Sequence, residues 1–201
     1  MTTTMILLSL LASILELDVT YAFQTLLSRP IIAGPLFGLC IGDVMAGVQI
    51  GIFVELLFID ISPLGGIIPP SGVVATALPI ILYSLGIDLY FGFFLGVLAG
   101  IVYSLFDTLL RKTRFKWIVF LEAKIGKKPT DLWRIIGLSL LLSFLMTFIF
   151  LSAASWLGAQ TVFLLLPYIK PRVHFAFQLA YMAVPWIGLA TLIPTFRLKT
   201  R

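Results

Sequence analysis

Two carboxylates, Glu55 and Asp60, stand in "GIFVELLFIDISPLGGIIPPSG", residues 51–72, the most apolar part of an apolar chain. Helix breakers follow at once: Pro63, Gly65, Gly66, Pro69 and Pro70. An ionisable group at membrane depth is costly and marks a functional site by default. Glu55 is the strongest case, because residues 50–53 and 56–59 carry no polar side chain. A carboxylate there faces a polar cavity or pairs with a cation, and its oxygens accept hydrogen bonds from hydroxyl donors. Arg29, Asp43 and Asp18 also border apolar segments. Each has a plainer reading. Asp18 and Asp43 can end helices in water, Arg29 can snorkel to the interface, and Asp60 can be interfacial beside the break. Gln24 and Gln49 can bond a hydroxyl of a ligand or a neighbouring helix.

Other chemistry is excluded by what the chain lacks. It has one cysteine, Cys40, and one histidine, His174. No internal disulfide can form, and a zinc site needs three or four ligands. His174 follows "YIKPRV", beside Lys170 and Arg172, and reads as interfacial. Cys40, between Leu39 and Ile41, reads as a small packing residue. No nucleophile–base set, phosphate loop or metal motif is present in the sequence. Catalysis by this chain alone is not expected, nor is a cofactor.

The elements that must hold these residues are membrane elements. Of 201 residues, 60% are hydrophobic and 11% charged, with mean hydropathy +1.11. Soluble domains carry about 25% charged residues, so this is an integral membrane protein. Net charge is +5, but the basic residues are concentrated in one segment, which reads as topology rather than nucleic-acid binding. The start, "MTTTMILLSLLASILELD", lacks a basic region and a cleavage motif and reads as a retained first helix.

A spanning helix needs roughly 20 apolar residues. The apolar pieces cover 5–17, 31–42, 44–59, 72–87, 89–106, 135–157, 161–169 and 173–194, with Pro185 a kink in the last. The pattern predicts an all-α multi-span helical bundle with short, broken or re-entrant segments in its N-terminal half. Broken helices line transport sites, although tilted helices joined by tight turns satisfy the same lengths. Gly34, Gly38 and Gly42, and again Gly92, Gly96 and Gly100, predict two stripes for close helix approach.

Residues 111–134 hold eight Lys or Arg, and Arg197, Lys199 and Arg201 end the chain. Both are expected on the cytoplasmic side, with 161–169 at the outer interface or dipping into the membrane. The expected organisation is a membrane region at 1–110, a basic cytoplasmic loop at 111–134, and a membrane hairpin with a basic tail at 135–201.

"FQTLLSRP" (23–30), "GPLFGLCIGD" (34–43), "GVQIGIFVEL" (47–56) and "SPLGGIIPPS" (62–71) occur in the order and at about the spacing of one family. Over about its first 90 residues the chain resembles the membrane subunit IIC of the mannose–fructose–sorbose family of the bacterial sugar phosphotransferase system. The remainder matches in hydropathy.

The resemblance implies a permease in the bacterial cytoplasmic membrane, in a homo-oligomer within a complex with a IID membrane subunit. Soluble IIA and IIB proteins relay phosphate to a hexose-type sugar, and IIC carries no phosphorylated residue of its own. It also implies that Glu55 and the break after it lie on the sugar path, that Gln24 and Arg29 flank them, and that Asp60, Asp43 and Ser71 belong to the same region. Many family members have an acid where Ser71 stands, and the chain ends short of a typical IIC. A regulatory or assembly subunit that kept the fold without transport is the rival expectation.

Overall fold

The computed structural model describes residues 2–20, 25–59, 61, 68–124, 129–165 and 171–198. The described residues form α1 (Thr2–Thr20), α2 (Pro30–Ile41), α3 (Val44–Phe58), α4 (Gly72–Ser84), α5 (Leu89–Lys124), α6 (Pro129–Leu165) and α7 (Pro171–Leu198), with no strand. Stretches Leu89–Thr113, Trp133–Leu164 and Arg172–Ile193 are long and apolar enough to cross a membrane. The helices α2, α3 and α4 have 12, 15 and 13 residues. At 1.5 Å per residue each is about 18–23 Å long, short of the roughly 30 Å hydrocarbon core.

Helix starts and stops follow local chemistry. Pro30 opens α2, where a missing N–H costs nothing. Gly42 ends it at φ 81, and its N–H bonds back to Leu39. Asp43 then caps α3 by accepting from the Ala46 N–H at 3.0 Å, and Ser71 caps α4 by accepting from the Val74 N–H at 3.1 Å.

Register sets the depth of these caps. The Ser71 N–H donates to the Gly100 carbonyl at 3.1 Å, so α4 starts level with Gly100 of the antiparallel α5. Gly100 lies 11 residues from Leu89 and 13 from Thr113, near the middle of that span. A Cβ on Gly72 would lie 2.7 Å from the Pro30 ring, so α2 begins at the same level. Gly51 of α3 lies against the Pro30 carbonyl. The starts of α2 and α4 therefore meet near mid-membrane, where α3 passes them, and the α2–α3 hairpin is re-entrant in form.

Glycines make that hairpin. Gly34 and Gly38 face Gly47 and Gly51, with backbone so close that a Cβ on Gly47 would sit 2.8 Å from the Gly38 Cα. The expected Gly34–Gly38–Gly42 stripe therefore needs correction: Gly42 is the left-handed cap, and the stripe's partner is Gly47 and Gly51. The second ladder holds, as Gly92, Gly96 and Gly100 receive Pro79, Ala75 and Ser71 of α4. Residues 73–82 of α4 are all buried, which makes it the central helix, with Leu8, Ala12, Phe37, Ile50 and Val54 packed around it. Outward faces stay apolar, as at Trp186 and Leu164, and suit lipid.

Two expectations differ. The helix α5 continues through the basic segment to Lys124 and α6 starts at Pro129, so among the described residues 111–134 is mostly helix rather than loop. Thr161 begins no separate element, because α6 runs unbroken through Leu165. At Arg111 and at Thr161 a charged or polar side chain interrupted the apolar run without ending the helix.

Candidate substrate site at the helix break

Where α2 and α4 begin and α3 ends, a cavity of about 450 Å³ opens, within the range of small-molecule sites. Arg29, Pro30, Glu55, Phe58, Pro70 and Gly72 are among its lining residues. Arg29 Nη1 donates to Glu55 Oε1 at 3.3 Å. The Arg29 side chain is 60% exposed and Glu55 20%, so the pair contributes little stability. Glu55 Oε2 is buried and has no hydrogen-bond partner among the described residues. A buried acceptor left unmade is costly, so this oxygen is set to receive a donor. Two helix N-termini, at Pro30 and Gly72, border the same space, and their positive ends favour a carboxylate and ligand oxygens.

Asp18 builds the wall before α2. Its Oδ1 accepts from the Thr25 N–H at 2.8 Å and the Thr25 hydroxyl at 2.9 Å, and its Oδ2 accepts from the Ser28 N–H at 3.3 Å. These bonds hold a tight turn that includes Leu26 at φ 67, a strained value for leucine, and Leu26 lines the cavity.

The structure thus brings Arg29 and Glu55 together. Gln24 and Asp60 lie outside the described residues. Asp43 sits at the opposite end of α3, twelve residues and about 18 Å from Glu55. It caps α3 and accepts from the Tyr83 hydroxyl at 3.1 Å. The Ala46 N–H first, then Tyr83, hold its carboxyl below the usual aspartate value.

Ser71 faces a neighbouring, smaller cavity of about 220 Å³ that shares Pro69, Pro70 and Gly72 with the first. Its hydroxyl donates to Glu16 Oε2 at 2.8 Å while accepting from the Val74 N–H. Across that cavity Asp107 pairs with Arg111 at 2.7 Å. Sequence reasoning missed Glu16 and Asp107. Glu16 looked like the end of an apolar run. The spacing of Asp107 and Arg111, one helical turn, was the available signal for their pair.

Residues 2–200 match the family described as the PTS system sorbose-specific iic component. The chain belongs to that family. Among relatives of this IIC chain, the putative N-acetylgalactosamine permease IIC component 2 of Escherichia coli strain K12 is 36% identical over 69 residues, 34% of this chain and 51% of the relative. The N-acetylgalactosamine permease IIC component 1 of the same strain is 36% identical over 83 residues, 40% of this chain and 31% of the relative. The chain therefore aligns with about half and a third of those proteins' lengths.

Solved structures agree over nearly all of the IIC chain. One, described as a membrane protein, matches with TM-score 0.78 and 21% identity, covering 98% of this chain and 80% of the other. The mannose transporter ManYZ, solved with microcin E492, matches with TM-score 0.68 and 20% identity, at the same coverages. At these identities the likeness establishes the fold, an all-helical multi-pass membrane architecture.

Proposed function

We propose that this chain is the sugar-translocating IIC subunit of a mannose-family phosphotransferase system. It moves a hexose-type sugar inward across the bacterial cytoplasmic membrane for phosphorylation by a IIB partner, itself charged by IIA. A IID membrane subunit completes the permease, which forms a homo-oligomer. The observation that carries this reading is Glu55. Glu55 lines a cavity at mid-span, between two helix N-termini and beside Arg29, and one of its oxygens is buried without a partner among the described residues. Sugar hydroxyls supply the donors that the carboxylate lacks, and Arg29 together with the helix N-termini supplies donors to sugar oxygens. By the family resemblance Gln24, Asp60 and Ser71 also take part in sugar binding.

In this reading residues 1–110 hold the sugar path, 111–134 form a cytoplasmic basic segment, and 135–201 form the closing hairpin and tail. The polar residues at the helix break favour transport over a regulatory role. A subunit kept only for assembly has no use for a buried carboxylate with an unmade bond.

The test is phosphoenolpyruvate-dependent uptake of mannose or N-acetylgalactosamine into vesicles that contain the partner subunits. Uptake that requires this chain supports transport. Assembly of the complex with no uptake of any sugar, at normal IIB activity, overturns it.

A further inference from the structure

A second cavity, of about 410 Å³, lies between the middle of α3 and the α4–α5 turn. Its walls include Gln49, Phe53, Asp88, Tyr90, Tyr181 and Met182. These come from α3, the α4–α5 turn, the start of α5 and α7. Gln49 lies six residues, about 9 Å along the axis of α3, from Glu55, and Phe53, two residues from Glu55, is on the opposite face of the helix, so the two cavities flank different faces of α3. The start of α5 forms part of this cavity, while the basic residues of α5 begin at Arg111, toward its other end.

The wall chemistry narrows the ligand. Phe53 and Tyr181 rings lie 4.8 Å apart, and Tyr90 and Tyr181 5.3 Å apart. Tyr181 is 1% exposed, and its hydroxyl is buried with no hydrogen-bond partner among the described residues. An apolar core would use phenylalanine there, since a buried hydroxyl without a partner costs stability. Gln49 and Asp88 are both exposed and add an amide and a carboxylate. His174 stands on Asp88 at 2.9 Å and rests against the Tyr90 ring, which ties α7 to this wall.

Among the described residues no lysine or arginine lines the cavity, and Asp88 adds a carboxylate, so this wall disfavours an anion. Aromatic faces take the C–H faces of a ring, while an amide and a carboxylate take its hydroxyls. That combination fits a neutral polyhydroxylated ring and disfavours its phosphate ester.

We propose that this cavity is a second sugar subsite, selective for the unphosphorylated sugar, at the end of the bundle remote from the basic segment. This inference rests on the sugar-transport reading above. The subsite collects sugar on the side opposite the phosphorylation step, and the Glu55 cavity takes it from there. Rejection of the phosphate ester makes the intake end insensitive to product.

The experiment uses native membranes and D-mannose, N-acetylgalactosamine and mannose 6-phosphate as probes. A reporter cysteine replaces Met182, with Cys40→Ser in the background, and its rate of modification by a small thiol reagent is measured. At about four times Kd the unoccupied fraction is about one fifth, so labelling slows about fivefold. One of the two neutral sugars is expected to do this, and mannose 6-phosphate is not. The slowing should survive Glu55→Gln and disappear with Gln49→Leu. Equilibrium dialysis of the Cys40-containing protein should give two sugars per chain, falling to one in either Glu55→Gln or Gln49→Leu.

The subsite is overturned if neither sugar protects the reporter, if protection is lost in Glu55→Gln, or if mannose 6-phosphate protects equally well. Failure of the Glu55 site reads differently: Glu55→Gln would then leave stoichiometry unchanged while Gln49→Leu abolished binding.

Discussion

Replacing Glu55 by Gln separates binding from stability. The Glu55–Arg29 pair joins a carboxylate that is 20% exposed to a guanidinium that is 60% exposed. A pair so open to solvent contributes at most about 1 kcal/mol, so Tm should fall only slightly. Binding is a different matter. Arg29 orients the new amide with its oxygen toward Nη1, which puts the amide nitrogen where Oε2 was. The buried acceptor becomes a donor, and a sugar hydroxyl that donated there meets another N–H. Losing a hydrogen bond to a charged group costs about 1.5–3 kcal/mol, or roughly ten- to a hundredfold in Kd. Sugar titration on the purified complex, beside a thermal melt, checks both numbers. Unchanged affinity would mean that the carboxylate serves packing alone. A large loss of Tm together with affinity would mean that the Arg29 pair is structural, and the site assignment would fail.

Gly47→Ala should destabilise the fold by about 1–3 kcal/mol or more, because the new methyl runs into the backbone of Gly34 and Gly38. Gly137→Ala, which meets nothing within 4 Å, should be neutral or slightly stabilising, and parallel melts compare the two. Asp43→Ala should lower thermal stability by removing the α3 cap. The native carboxyl titrates below the usual 3.8, so its contribution is complete above that pH and fades as pH falls through the native value. The wild-type advantage in Tm should therefore be constant from pH 7 to 5 and shrink below 4. Lys112→Cys, in a Cys40→Ser background, should resist an impermeant thiol reagent added to intact cells. Rapid labelling from outside would invert the proposed topology.

Helix identities were legible because apolar runs and caps are local. Pro30, Gly42, Asp43 and Ser71 mark their boundaries in the sequence, and the structure places the helix ends beside them. Long-range register was not legible. Glu55 and Arg29 were both singled out by burial cost, but nothing in a 26-residue separation states that they touch. Gly34 and Gly38 announced a close approach without naming Gly47 and Gly51 as the partner. In the sequence Asp43 stands beside Glu55 as a candidate with a helix-end reading as its alternative, and the structure gives it the helix end, because a hairpin sends the two ends of one helix to different depths.

The helix break shows how such register turns composition into a site. The position after Pro70, where the family resemblance implies an acid, holds Ser71, which looked like a loss of charge. Its hydroxyl instead holds the Glu16 carboxylate at 2.8 Å, brought there by α1. A carboxylate therefore reaches the Ser71 position although the residue there does not supply it. Polar groups at mid-membrane survive only where they are paired or reach a polar cavity. Asp18 meets this condition with three donors, Asp107 with Arg111, and Glu16 with Ser71. Glu55 meets it with one oxygen and not with the other, and that remaining oxygen is what distinguishes a carboxylate that holds the fold from one prepared to hold a ligand.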